Sequence, residues 1–155
     1  MALALRSEKM DAMVYVMLGD GELAEGSNWE AAAVAAQYRR ENLVLFLDNN
    51  GLQISGSVER VMNFMPAGEK FKAFGWNVLE IDGNNMEEIV CVLDLMPACK
   101  EKPTAVICHT VKGKGVSFLE NEVSCHFWTP DKEKLKLAIQ EVEARIGKME
   151  EEQEA

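Results

Sequence analysis

The chain has 155 residues and a formal net charge of −10, with 48% hydrophobic and 27% charged residues. That length suits a domain with its own core, and the apolar fraction excludes general disorder. The acidic balance argues against a nucleic-acid binder or a membrane-surface binder that works through bulk positive charge. Cys91, Cys99, Cys108 and Cys125 form no C-x-x-C pair, and they fit free thiols in a reducing compartment. Residues 1–5 are apolar over too short a run for a signal peptide or a membrane span, so a cytoplasmic protein is expected.

In chain order, the first strong element is 12–18 (AMVYVML), a continuous apolar run that predicts a strand buried on both faces. It stops at Gly19-Asp20-Gly21. Ser27-Asn28-Trp29-Glu30 has the spacing of a capping box, and the Ala-rich stretch 31–40 continues that helix with side chains small enough to sit close on a sheet. A second buried-strand run, 43–47 (LVLFL), ends at Asp48-Asn49-Asn50-Gly51, which completes a βαβ unit. Then follow a helix over 66–74 closed by Gly75, a strand over 76–81, an Asn-capped helix over 86–95 and a strand over 104–108. A polar stretch over 110–128 leads to a last helix with Thr129 as its cap, Pro130 at its first position and Gly147 past its end. The order predicts an α/β fold, a mostly parallel sheet with helices on both faces. One domain over 1–148 and an acidic, unstructured tail over 149–155 are expected.

In open parallel sheets, ligands bind beyond the carboxyl ends of the strands. Both turns of the βαβ unit open there. Asp20 follows the first strand and Asn50 the second, about one βαβ unit apart, so a carboxylate and an amide oxygen converge from adjacent strand ends. With a nearby backbone carbonyl they form an oxygen set suited to Mg²⁺ or Ca²⁺, with positions left for water and phosphate oxygens. Gly21 lets backbone approach a phosphate, and the helix that follows offers free N–H groups. Each turn alone is an ordinary Asp-Gly or Asn-Gly turn; the pair at this spacing points to a site.

These residues resemble a known family. GDGELAEGSNWEAA (19–32) and LDNNGLQISG (47–56) are similar to the thiamine-diphosphate motif of transketolase, and most like the separate N-terminal subunit of split bacterial transketolases. FGW (74–76), IDG (81–83), KPT (102–104) and HTVKGKGVSFLEN (109–121) extend the resemblance up to Trp128. It implies an incomplete thiamine-diphosphate-binding fold in which Asp20, Asn50 and the Leu52 carbonyl hold Mg²⁺. Gly19, Gly21 and Asn50 would lie at the cofactor diphosphate. Glu25 and Glu30 match acidic residues at the family's subunit interface, Glu30 having the capping box as its rival duty. His126 matches a histidine that approaches the diphosphate and substrate, although Phe127 and Trp128 stand where the family usually has glycine. His109 reads as a structural histidine at a strand end, and Lys112-Gly-Lys-Gly as a loop at the edge of the site.

The implied reaction is two-carbon ketol transfer between sugar phosphates. The glutamate that activates the cofactor belongs, in the family, to a pyrimidine-binding domain, here expected on a partner chain in a homo- or hetero-oligomer. The family also has further residues upstream, so an exposed sheet edge, apolar faces and self-association are expected. Other readings are another thiamine-diphosphate enzyme, of the deoxyxylulose-phosphate synthase or E1 type, and a non-catalytic assembly module.

Overall fold

A computed structural model describes residues 1–154, the last three by backbone alone. The chain divides into two compact units, 1–110 and 111–155, where the sequence predicts one domain over 1–148.

The first unit is built on four parallel strands: β1 (Val14–Gly19), β2 (Leu43–Asn49), β5 (Asn77–Asp82) and β6 (Thr104–His109), in the order β1-β2-β6-β5. A small antiparallel pair, β3 (Leu52–Gln53) and β4 (Gly56–Ser57), follows β2. Helices α1 (Ala2–Ser7), α2 (Gly26–Gln37), α3 (Val58–Val61), α4 (Ala67–Ala73) and α5 (Met86–Asp94) complete the unit. This is the α/β architecture expected, with helices on both faces of the sheet.

Strand residues alternate between two cores, as the pleat requires. Leu45, Leu47, Ala105 and Ile107 face one side, where α2 and α4 bring Ala32, Ala35 and Phe71. Val44, Val106 and Cys108 face the other, with Val92 of α5. The small residues of α2 let its backbone approach the sheet, and the Trp76 Nε1–H donates to the Ala32 carbonyl at 2.9 Å. Phe71 joins the first core to an aromatic cluster, its ring 5.4 Å from Trp29 and 5.4 Å from Trp76. Each fully buried aliphatic or aromatic side chain of this kind contributes about 1.5–3 kcal/mol.

Several caps differ from expectation. The Ser27–Glu30 box does not form: a 3₁₀ turn over Asp20–Ala24 precedes α2, which starts at Gly26 with Glu25 as its N-cap. The reciprocal contact belongs instead to the turn, where the Gly19 N–H donates to Glu22 Oε2 at 3.3 Å. The Asn85 cap of α5 does form, its Oδ1 accepting from Glu87 N–H at 2.9 Å and Glu88 N–H at 3.4 Å.

Strand β1 is not buried on both faces. It lies at the sheet edge, with Tyr15 49%, Val16 39% and Met17 72% exposed. Beneath it an apolar cleft of about 100 Å³ opens between Val16, Leu18, Leu45, Phe71 and Trp76. An unpaired apolar edge favours strand-to-strand and face-to-face contacts. Sedimentation at rising concentration is expected to show species heavier than the monomer, with bound hydrophobic dye. A clean monomer without dye would refute this.

In the second unit the polar stretch folds on itself, Asn121 N–H donating to the Lys112 carbonyl at 2.9 Å and Gly115 N–H to Glu120 Oε1 at 3.0 Å. Helix α6 (Lys132–Glu154) starts later and runs longer than expected. Asp131 Oδ1 accepts from Lys134 N–H at 2.8 Å, the duty expected of Thr129. Gly147 lies inside the helix, its cost of about 1 kcal/mol spread among strong helix formers. The backbone stays helical through 149–154, where an unstructured tail was expected, and Ala155 lies outside the described residues.

The Glu141 carboxylate accepts the Ser117 N–H at 2.6 Å and its hydroxyl at 2.7 Å. These two bonds hold its pKa below the ordinary 4.5. A lowered folded-state pKa means the tether is at full strength above that value and is lost as pH falls through the lowered one. The Ser117 amide resonance should therefore titrate with a midpoint below 4.5. A midpoint at or above the ordinary value would contradict the tether.

Candidate functional site

The carboxyl edge of the sheet gathers the residues that follow β1 and β2. Parallel register sets Gly19 beside Asp48, Asp48 beside Cys108, and Asn49 beside His109. Asp20 begins the 3₁₀ turn and is 1% exposed. Its Oδ2 accepts the N–H of Gly51 at 2.5 Å, which ties the turn after β1 to the turn after β2. Gly51 has φ +75°, so the chain reverses there at a conformation glycine adopts without strain.

Asn50 sits beside this tie. Its Nδ2 donates to Asp48 Oδ2 at 3.1 Å, and its Oδ1 accepts the Leu52 N–H at 2.9 Å. Leu52, at the start of β3, is half-buried. Thr110 Oγ1 donates to Asp48 Oδ1, bringing the end of β6 into the cluster. Behind it Cys108 is buried, and desolvation with the nearby Asp48 charge pushes its thiol up to about 11. It is protonated at neutral pH and not a nucleophile there.

A Cβ on Gly21 would stand 2.9 Å from Gln53 Cγ, so glycine lets the turn and β3 pack together. A Cβ on Gly19 would meet nothing within 4 Å, so space does not demand glycine there. Glu25 and Glu30 are both exposed on the first turns around the α2 start, and with no capping box Glu30 has no such local duty. His126 lies in the second unit, on the 3₁₀ turn Val123–Phe127, exposed and edge-on to the Phe127 ring at 4.6 Å. His109 is exposed but satisfied: its Nε2 is 3.0 Å from Glu80 Oε2 and its Nδ1 3.3 Å from Asn49 Nδ2.

The structure thus brings Asp20, Asn50 and Leu52 together, with Gly19 and Gly21 flanking. The roles of Asp48 and Thr110 were not read from the sequence. Their only signal was that each lies at the end of a buried strand run. Among the described residues no group of three or more His, Cys, Asp or Glu could hold a metal by itself. One carboxylate, one amide oxygen and backbone carbonyls make a hard-oxygen set of the kind that takes Mg²⁺ together with ligand oxygens.

The fold and this cluster define an open parallel α/β domain with its polar groups at the carboxyl edge, where such domains bind ligands. The chain belongs to the transketolase family: residues 6–145 match its thiamine diphosphate binding domain. An apulose-4-phosphate transketolase subunit of Phocaeicola vulgatus is 43% identical over 98% of this chain and 54% of its own length. The 6-deoxy-6-sulfo-D-fructose transketolase subunit SqwG of a Clostridium species is 38% identical over 92% and 52%. A transketolase structure from Pichia stipitis superposes with a TM-score of 0.76 at 28% identity, over 83% of this chain and 19% of that one. The chain spans about half the length of the bacterial subunits it matches. No helix among the described residues is long and apolar enough to cross a membrane.

Proposed function

We propose that this chain supplies the diphosphate and Mg²⁺ half of a thiamine-diphosphate site in a split transketolase. The observation that carries the reading is the Asp20–Gly51 bond, which holds a buried carboxylate against the Asn50 turn at the carboxyl edge of adjacent strands. Asp20, the Asn50 Oδ1 and the Leu52 carbonyl would hold Mg²⁺, and Gly19 and Gly21 would leave room for the diphosphate. Thiamine diphosphate, when bound, supplies the electron sink for two-carbon ketol transfer between sugar phosphates. This chain's part is to bind and orient it through the groups at the carboxyl edge of the sheet.

The pyrimidine-binding domain would lie on a partner chain, and the relatives named as single subunits of a transketolase support such a division. Exposed Glu25 and Glu30 would lie at the interface linking paired sites. The sugar-phosphate class follows the apulose-4-phosphate named for two of the relatives, a place in pentose phosphate metabolism fits that class, and the four free thiols suit the cytoplasm.

Calorimetry with thiamine diphosphate tests the cofactor half: binding with Mg²⁺ and none with EDTA is expected. Equal binding in EDTA would remove the metal assignment. Mixing the chain with a C-terminal transketolase section tests the reaction. Turnover of a ketose phosphate supports it, whereas turnover of 2-oxo acids alone would move the chain to another thiamine-diphosphate class.

A further inference from the structure

An asparagine amide has two ends of similar shape and opposite function. Only the oxygen can bind a cation; the NH₂ end repels one. At Asn50 both ends are specified by neighbours that cannot exchange roles. An ionised carboxylate only accepts, and Asp48 Oδ2 takes the Nδ2 at 3.1 Å. A backbone N–H only donates, and Leu52 gives its own to Oδ1 at 2.9 Å. Reversing the amide would set oxygen against oxygen and N–H against N–H. Oδ1 keeps a second lone pair, available to a cation.

Asp48 is itself fixed from a distant part of the chain. Thr110 Oγ1 donates to its other oxygen, Oδ1. Thr110 N–H donates to the Asn49 carbonyl at 3.4 Å. The Asp82-Gly83 turn closes over this end of β6: a Cβ on Gly83 would stand 2.5 Å from Thr110 Cγ2 and 2.7 Å from Cys108 Cβ. Gly83 N–H also donates to the His109 carbonyl at 2.9 Å. Contacts therefore run without a gap from Gly83 through Thr110 and Asp48 to Asn50.

We propose that Asp48 is the positioning residue of Asn50: held by Thr110, its carboxylate selects the amide orientation that presents oxygen to a divalent cation. The inference rests on the reading of Asn50 as a cation ligand and assigns to the chain a determinant of that site outside its ligands.

The rival role for Asp48 is structural, a tie between β2 and β6. Asp48→Asn separates the two. Its amide can still pair with the Thr110 hydroxyl through either end, which keeps the tie, while the carboxylate that can only accept from Asn50 is gone and no longer selects the amide orientation. Two measurements on the full chain are needed. The first is the Mg²⁺ concentration for half-maximal thiamine-diphosphate binding, expected to rise about 10- to 100-fold in both Asp48→Asn and Asp48→Ala. The second needs no ligand: hydrogen exchange of the Asn50 side-chain NH₂ by ¹⁵N NMR. Exchange is expected to be slow in the wild type and at least several-fold faster in both variants, with Asp48→Asn melting like the wild type. Wild-type Mg²⁺ dependence, or unchanged Asn50 exchange, in a folded Asp48→Asn protein would overturn the proposal. If the wild type itself binds no cofactor, the functional reading fails, and the ligand-free exchange rates alone decide whether Asp48 positions Asn50.

Discussion

Asp20→Ala is expected to lose Mg²⁺-dependent binding of thiamine diphosphate by two to three orders of magnitude. Asp20 is 1% exposed and is the carboxylate of the proposed ligand set. Removing one member of a buried, charge-paired set costs about 3–5 kcal/mol, and each 1.4 kcal/mol is about tenfold in affinity. The same substitution also removes the acceptor of the Gly51 N–H, at a stability cost of about 1–3 kcal/mol. Asp20→Asn separates these effects, because an amide oxygen can still accept from Gly51 while the charge is gone. Calorimetry should find both variants defective in binding, and thermal melting should find only the alanine variant clearly destabilised. An asparagine variant that binds within a few-fold of wild type would dismiss Asp20 as the charged ligand.

Phe71→Ala is expected to have the largest effect on stability, about 3–5 kcal/mol out of a total of about 5–15. Phe71 is 2% exposed, at the meeting point of α4, the sheet and the Trp29–Trp76 cluster. The substitution loses the transferred area, two ring contacts and the filling of one wall of the apolar cleft. Urea unfolding would check it. A loss under about 1.5 kcal/mol would mean that neighbouring side chains close over the gap. Phe127→Ala is the internal comparison: that ring is 74% exposed, and its loss should stay within about 0.5 kcal/mol.

How far the fold could be read in advance depended on the range of the interactions involved. The runs that became β2 and β6 were legible because interior parallel strands are apolar on both faces, and both lie inside the sheet. The run that became β1 has the same composition but sits at an edge, with Met17 72% exposed. An apolar run states what can be buried, and not what is present to bury it. Asn85 was legible as a cap because its partners are two and three residues away. Ser27 was misread because a 3₁₀ turn set the helix start at Gly26, a choice made by the Asp20 and Glu22 contacts.

The site divides in the same way. Residue type and spacing marked Asp20, Asn50 and the glycines before any coordinates, and the motif around them sufficed to indicate the family. Asp48 looked like the end of a strand. Its partner Thr110 is sixty-two residues away along the chain, and they meet because β6 pairs with β2 although β5 precedes it. The order of residues was enough for the elements, the family and the ligand types, since pleat periodicity, caps and turn chemistry act over a few residues. The place of β6 between β2 and β5, the meeting of Thr110 with Asp48 and the orientation of the Asn50 amide came from the folded chain alone. They depend on burial and on hydrogen bonds between segments that the chain order keeps apart.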